Sequence, residues 1–279
     1  MSTTTTPTVT HPAEGTWEPG LAWLSAGSGR PLLFLPGISA RHGHPTGFDR
    51  RFTLRTMRPY TTRRRVWWVN RRTHLPPTAT MGDIADDYAA VVDAHFDGPV
   101  DVLGFSTGGT VALHLAARAP DRVRRVVVVS AAHRLGPLGR TAQRAAAEAF
   151  RAGHVRLGSA ALFTPLGTGV PTRLSLGLLG LALGPRVFGS ADSDMLATLE
   201  AEDAADVRDR LGAVTAPTLL LGGERDGFFG RGLYERTAEF LPRGDLRLWP
   251  RKGHLPPHHP GLARAASAFL DTAPPGSPD

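Results

Sequence analysis

The stretch from Val100 to Val129 constrains the fold more than any other part of the chain. Val100 to Phe105 is apolar apart from Asp101 and has the length of a strand. Thr107 to Ala119 places Val111, Leu113 and Leu115 at buried helical positions and is stopped by Pro120. Val123 to Val129 is rich in β-branched residues, which favour pleated, buried backbone. Strand, helix and strand in this order make a βαβ unit, whose two strands lie parallel in one sheet.

The same rhythm extends in both directions. Thr16 to Ser25 reads as an extended segment, closed by a turn at Gly27, Ser28 and Gly29. Pro31 to Gly37 is a buried strand running into a loop, Ile38 to Arg50 has loop composition, and Val66 to Asn70 is the next strand. Thr80 to Phe96 is a helix: Thr80 with Asp83 suits its start, and Ile84, Tyr88, Val91, Val92 and Phe96 form one stripe. Further on, Thr218 to Leu221 and Leu246 to Trp249 read as strands, with helices at Gly232 to Leu241 and Leu262 to Leu270. The fold class is therefore α/β, a mostly parallel sheet covered by helices on both faces.

Residues 135–209 break the rhythm with Ala-rich, Leu/Gly-rich and acidic stretches, none resembling a sheet strand. The expected division is a flexible start at 1–15, a core made of 16–134 and 210–272, a helical cap inserted at 135–209, and a frayed tail at 273–279.

Composition removes several function classes. The chain has no cysteine, so disulfides, thiolate metal sites and cysteine nucleophiles are excluded, and no HxxxH or HExxH spacing argues for a metal. Neither a metal nor another cofactor is expected. The Thr-rich stretch from Met1 to Gly15 does not read as a signal peptide, and the apolar run from Leu174 to Leu183 is far shorter than the roughly 20 residues that span a bilayer. A cytoplasmic protein without membrane insertion is the expectation. The net charge is +7, and nine arginines with no acid lie between Arg50 and Arg72. They are expected to form a solvated basic face flanking the Val66 to Val69 strand rather than a nucleic-acid site.

Gly104-Phe105-Ser106-Thr107-Gly108 has the pattern GxSxG. A strand that turns at once into a helix strains its middle residue, and neighbours two positions away must be small to avoid collision. The preceding strand and following helix supply that context here. The helix beginning at Thr107 aims its free amides and positive dipole end at Ser106, an arrangement suited to a developing oxyanion. Ser106 is accordingly the expected nucleophile, and a serine hydroxyl needs a base within hydrogen-bond reach and an acid to orient that base.

Phe34-Leu-Pro-Gly37, Gly104-Phe-Ser-Thr-Gly108, Leu221-Gly-Gly-Glu-Arg-Asp226 and Gly253-His254 occur in the order in which the α/β-hydrolase superfamily carries its motifs. The chain resembles that superfamily over most of its length outside the proposed cap. The resemblance implies Asp226 as acid, after the Thr218 strand, and His254 as base, after the last strand. Glu224 is the rival acid, but the Asp226-Gly227 pair suits a turn that projects a short carboxylate. His258 and His259 are rival bases. For the oxyanion hole the resemblance implies the backbone amides of Thr107 and Ile38. Many relatives have histidine where this chain has Pro36, a departure that touches the support of the loop rather than the donor.

The implied reaction is acyl transfer from a small-molecule acyl substrate, a carboxylic ester above all, through an acyl-enzyme and without a cofactor. Lactonase, thioesterase, acyltransferase, carbon–carbon bond hydrolase and cofactor-free perhydrolase chemistry use the same serine arrangement. A non-catalytic ligand receptor on the same fold is the alternative from another class. Phe150, Leu157, Leu162, Phe163, Leu174, Leu176 and Phe188 are candidates either for an apolar acyl pocket or for packing within the cap.

Overall fold

The computed structural model describes residues 12–189 and 192–272. Among the described residues eight strands form one sheet: β1 (Ala13–Trp17), β2 (Leu21–Ala26), β3 (Arg30–Leu35), β4 (Arg64–Val69), β5 (Val100–Phe105), β6 (Val123–Val129), β7 (Thr218–Gly223) and β8 (Gly244–Trp249). Their order is β1-β2-β4-β3-β5-β6-β7-β8. β1 with β2 and β2 with β4 pair antiparallel, and every later pairing is parallel.

Nine helices are found among the described residues. They are α1 (Gly47–Met57), α2 (Met81–His95), α3 (Thr107–Arg118), α4 (Pro137–Arg151), α5 (Val155–Phe163), α6 (Val170–Val187), α7 (Ser193–Ala204), α8 (Arg231–Phe240) and α9 (Pro260–Asp271). The two faces of the sheet bury different helices. Ile84, Val91, Leu113, Leu115, Leu233 and Tyr234 place α2, α3 and α8 on one side, whereas Met57, Leu262, Ala266 and Leu270 place α1 and α9 on the other. Central strands buried on both faces read as continuous apolar runs, which is why β5 and β6 are legible from sequence.

Strand order also fixes where a site can form. β3 leads through α1 to β4 on one side, and β5 leads through α3 to β6 on the other. The loops leaving neighbouring β3 and β5 therefore diverge and open a crevice at the carboxyl end of the sheet, the general position of ligand sites in open α/β sheets. The opposite end is closed by charge. Asp101, fully buried in β5, pairs with Arg64 of β4 at 3.6 Å and with Arg124 of β6, and Arg64 also reaches Asp271 of α9. Burial pushes the Asp101 carboxyl up from its usual value, and Arg124 and Arg64 pull against it.

Several expectations change. The segment expected to be flexible at 1–15 overlaps β1, which pairs with β2 from Ala13 onward; its alternating exposure gives it no apolar signature. Residues 1–11 and the expected tail at 273–279 lie outside the described residues. The expected loop at Ile38 to Arg50 ends in α1, whose acid-poor sequence offers no buried stripe beyond Thr53, Thr56 and Met57. The arginines between Arg50 and Arg72 do not all lie on a solvated face: Arg64 and Arg71 are buried, the first on Asp101 and Asp271, the second on a loop described below.

Between β6 and β7 the chain runs through α4 to α7. Ala146, Ala147, Phe150, Leu162, Phe188, Met195 and Leu199 pack into one cluster against which Ile38 and Ala40 lean. α7 is shared, because Ala197 and Ala201 join the core under α2 and α3. Leu157 and Leu174 point to solvent, so neither lines an enclosed pocket. Among the described residues no helix is long and apolar enough to cross a membrane.

Candidate active site

Ser106 lies at the carboxyl end of β5 with φ 52° and ψ −124°, in the left-handed half of backbone space that a side chain rarely occupies. The turn is held by Ser106 N–H donating to the Val129 carbonyl at 2.8 Å, and by the Gly109 and Thr110 amides donating to Ser106 O. Glycine is required on both flanks. A β-carbon on Gly104 would stand 2.2 Å from Gly108 O, and one on Gly108 would stand 2.1 Å from Leu35 O. The amide of Thr107, at the first position of α3, has no acceptor within the helix.

His254 and Asp226 arrive on the loops after β8 and β7. Those loops are stitched together: Arg225 N–H donates to Lys252 O at 2.8 Å, and Glu224 N–H donates to Trp249 O at 3.2 Å. His254 Nε2 is 3.1 Å from Ser106 Oγ, and His254 Nδ1 is 3.0 Å from Asp226 Oδ2. Asp226 is buried and fully engaged. Its Oδ2 also accepts from Tyr234 OH at 2.7 Å, and its Oδ1 accepts from the amides of Phe228 at 2.8 Å and Phe229 at 3.4 Å. A carboxylate held by these donors makes Nδ1–H the donor of the imidazole, which leaves the Nε2 lone pair facing the serine hydroxyl. Phe105, Phe228 and Phe229 surround the ring with centroids 5.1 to 6.3 Å away.

The rival residues stand elsewhere. Glu224 pairs with Arg231 at 3.3 Å; His258 meets Phe52 edge-on; His259 accepts from Gly261 N–H at the start of α9.

The loop after β3 completes the site. A β-carbon on Gly37 would lie 3.3 Å from Ser106 Cβ, so this loop rests directly on the serine. Its shape is set by Arg71, fully buried two residues past the end of β4. Arg71 donates to Pro36 O at 3.1 Å, Gly37 O at 3.0 Å, Ser39 Oγ at 2.9 Å and His42 Nε2 at 3.2 Å. Because the peptide is trans, fixing Gly37 C=O also fixes the opposed N–H of Ile38. Burial lowers the Arg71 pKa from the usual arginine value, while Tyr88 and Glu202 raise it. His42 is pushed down to about 3, first by burial and then by Arg71, against the hydrogen bond to Arg72 O. It stays neutral and accepts from Arg71.

Three supporting groups escaped sequence reasoning. Glu202, buried on α7, accepts from Thr107 Oγ1 and Thr110 Oγ1 at 2.9 Å each and from Gln143 Nε2 at 2.8 Å, and so ties α7 and α4 to the start of α3. Ser130, with φ 53°, accepts from Leu255 N–H at 3.1 Å and steadies the residue after His254. Tyr234 anchors Asp226. Ser130 is a single polar residue after an apolar run, whereas Tyr234 and Glu202 stand among other polar residues, and nothing in their spacing says what they face. Among the described residues no three His, Asp or Glu side chains gather closely enough to hold a metal ion. A concavity of about 420 Å³ lined by Pro77, His114, Arg118 and Asp206 includes none of Ser106, His254 and Asp226.

With the fold and this geometry in view, comparison with known proteins places the chain. It belongs to the alpha/beta hydrolase fold family, whose sequence profile matches residues 31–258. The chain is 31% identical over 175 residues to a pimeloyl-[acyl-carrier protein] methyl ester esterase of Neisseria meningitidis, covering 60% of this chain and 67% of that protein. It is 29% identical over 199 residues to the protein of the same description from Chromobacterium violaceum, covering 67% of this chain and 76% of that one. Among solved structures, an α/β hydrolase from a Medee basin deep-sea metagenome library superposes with a TM-score of 0.75 at 16% identity over 94% of this chain and 98% of that one. Both relatives are named as esterases, and the protein is an enzyme of this fold family.

Proposed function

We propose that the protein hydrolyses a carboxylic ester of a small molecule, with Ser106, His254 and Asp226 as its catalytic triad. The observation that carries this reading is the unbroken hydrogen-bond chain from Ser106 Oγ through His254 to Asp226, set on a strained strand-to-helix turn. His254 Nε2 takes the proton as Ser106 Oγ attacks the ester carbonyl, and Asp226 stabilises the imidazolium without taking the proton itself. The amides of Ile38 and Thr107 receive the negative charge of the tetrahedral intermediate, each worth about 3 to 4 kcal/mol. The imidazolium protonates the departing alkoxide, and water, activated by the same imidazole, releases the acid from Ser106.

The relatives named as methyl ester esterases support a simple alkyl ester and a small alcohol as leaving group. The helices between β6 and β7 serve in this reading as a cap, with the Phe150, Leu162 and Phe188 cluster beside Ile38 selecting the acyl part. A fluorophosphonate probe and a series of p-nitrophenyl esters test the assignment. Wild type is expected to be labelled and to turn over, and Ser106→Ala to do neither; pure wild-type protein that is neither labelled nor active removes the esterase reading.

A further inference from the structure

α6 is built inside out. Its glycines face inward: a β-carbon on Gly180 would meet Ala160 Cα at 2.8 Å, and one on Gly184 would meet Ser159 Cβ at 2.1 Å, so the helix lies tight against α5. Four of its leucines face outward. Leu174 is 66% exposed and Leu178 67%, and Val170, Leu179, Leu183 and Val187 are also exposed. At 100° per residue, Leu174, Leu178, Leu179, Ala182 and Arg186 share this outward surface of a helix about 27 Å long. A helix apolar on both sides is normally covered on both, and contiguous exposed patches of this kind mark interaction surfaces.

Charge says what covers it. From Ala149 to Ala191 the chain carries Arg151, Arg156, Arg173 and Arg186 and no aspartate or glutamate. Arg151 pairs with Glu200 of α7, whereas Arg156 and Arg186 are exposed and have no acidic partner among the described residues. Two copies meeting through α6 would bring these arginines together with no carboxylate between them. A surface with an apolar interior and negative headgroups satisfies both halves of the pattern at once.

We propose that α6 is the face by which the protein docks on an anionic lipid surface, its leucines set among the outer acyl segments and Arg156 and Arg186 at the headgroup phosphates. The inference is independent of the esterase reading. It is tested by co-flotation of the Ser106→Ala protein, which holds catalysis out of the readout, with vesicles of phosphatidylcholine alone or mixed with phosphatidylglycerol. Binding to the mixed vesicles is expected, with about tenfold weaker binding to neutral ones. The Leu178→Asp/Leu179→Asp variant is expected to lose binding at both compositions, and Arg156→Gln/Arg186→Gln to lose the preference for the anionic lipid. Circular dichroism of these exposed-site variants checks that the fold is kept. No flotation at either composition, or flotation unaffected by Leu178→Asp/Leu179→Asp, overturns the proposal. So does light scattering that finds a dimer which Leu178→Asp/Leu179→Asp converts to a monomer while vesicles remain unbound, since the occupant is then a second copy.

Discussion

Replacing Arg71 probes the support of the proposed oxyanion hole without touching any proposed reacting group. The guanidinium donates to four acceptors, two of them the consecutive carbonyls of Pro36 and Gly37. In Arg71→Met those acceptors lose charge-assisted bonds worth about 1.5 to 3 kcal/mol each, partly offset because a buried charge is no longer desolvated. A net stability loss of about 3 kcal/mol is expected. The catalytic effect follows from the trans peptide: with Gly37 C=O released, Ile38 N–H loses its fixed direction. Losing one oxyanion donor costs about 10²- to 10³-fold in kcat, and a misdirected donor approaches that ceiling. The donor acts mainly on the transition state, so KM is expected to change little while kcat falls about a hundredfold. Arg71→Lys keeps the charge but cannot span both carbonyls, and is expected to fold better than Arg71→Met and to show a similar kcat defect. Steady-state kinetics on a soluble p-nitrophenyl ester, paired with thermal unfolding of each variant, separate the two effects. A folded Arg71→Lys or Arg71→Met enzyme with kcat within about threefold of wild type would show that Arg71 does not direct the Ile38 amide.

Other perturbations have distinct signatures. Asp226→Asn turns an amide toward His254 Nδ1 and favours the tautomer with Nε2 protonated, so kcat is expected to fall about 10⁴-fold with little loss of fold; a drop under tenfold contradicts the assigned acid. Glu202→Ala leaves Thr107, Thr110 and Gln143 without their shared acceptor, and denaturant titration is expected to register a loss of about 2 to 4 kcal/mol, while an unchanged midpoint discounts the tie between α7 and α3. His42, with a folded pKa of about 3 and an ordinary unfolded value of 6.5, binds its proton first in the unfolded chain. Its contribution is complete above pH 6.5 and is lost as pH falls toward 3, amounting to about 3 kcal/mol at pH 4; His42→Asn should flatten the stability–pH curve by that amount between pH 7 and 4. Gly108→Ala would drive a β-carbon to 2.1 Å from Leu35 O, and soluble protein of wild-type thermal stability would contradict the close approach of β3 to the turn.

How legible these features are from sequence depends on what each residue faces. β5, α3 and β6 appear almost residue for residue as expected because all three are buried on the sheet, where continuous apolar runs leave one solution. The capping box of α2, with Thr80 accepting from Asp83 N–H and Asp83 accepting from Thr80 N–H, is equally direct. β1 and α1 are not legible, since an edge strand and a mostly exposed helix bury too little to leave a period. Within the site, Ser106 announces itself through the glycines its turn demands, and the order of motifs brings in Asp226 and His254. Arg71 sits among nine arginines that look alike on paper, and only the loop it enters separates it from its solvated neighbours. Glu202 is hidden for the same reason, as one acid among several on α7.

The acyl group that Ser106 is proposed to carry can be trapped on the chain. Wild-type protein mixed with a p-nitrophenyl ester and quenched in acid during the pre-steady-state burst is digested and mapped by mass spectrometry. One added acyl group on the peptide containing Ser106 and a burst close to one equivalent of p-nitrophenol are expected, and neither in Ser106→Ala. An acyl group on another residue, or full turnover by Ser106→Ala, would rule out Ser106 as the nucleophile.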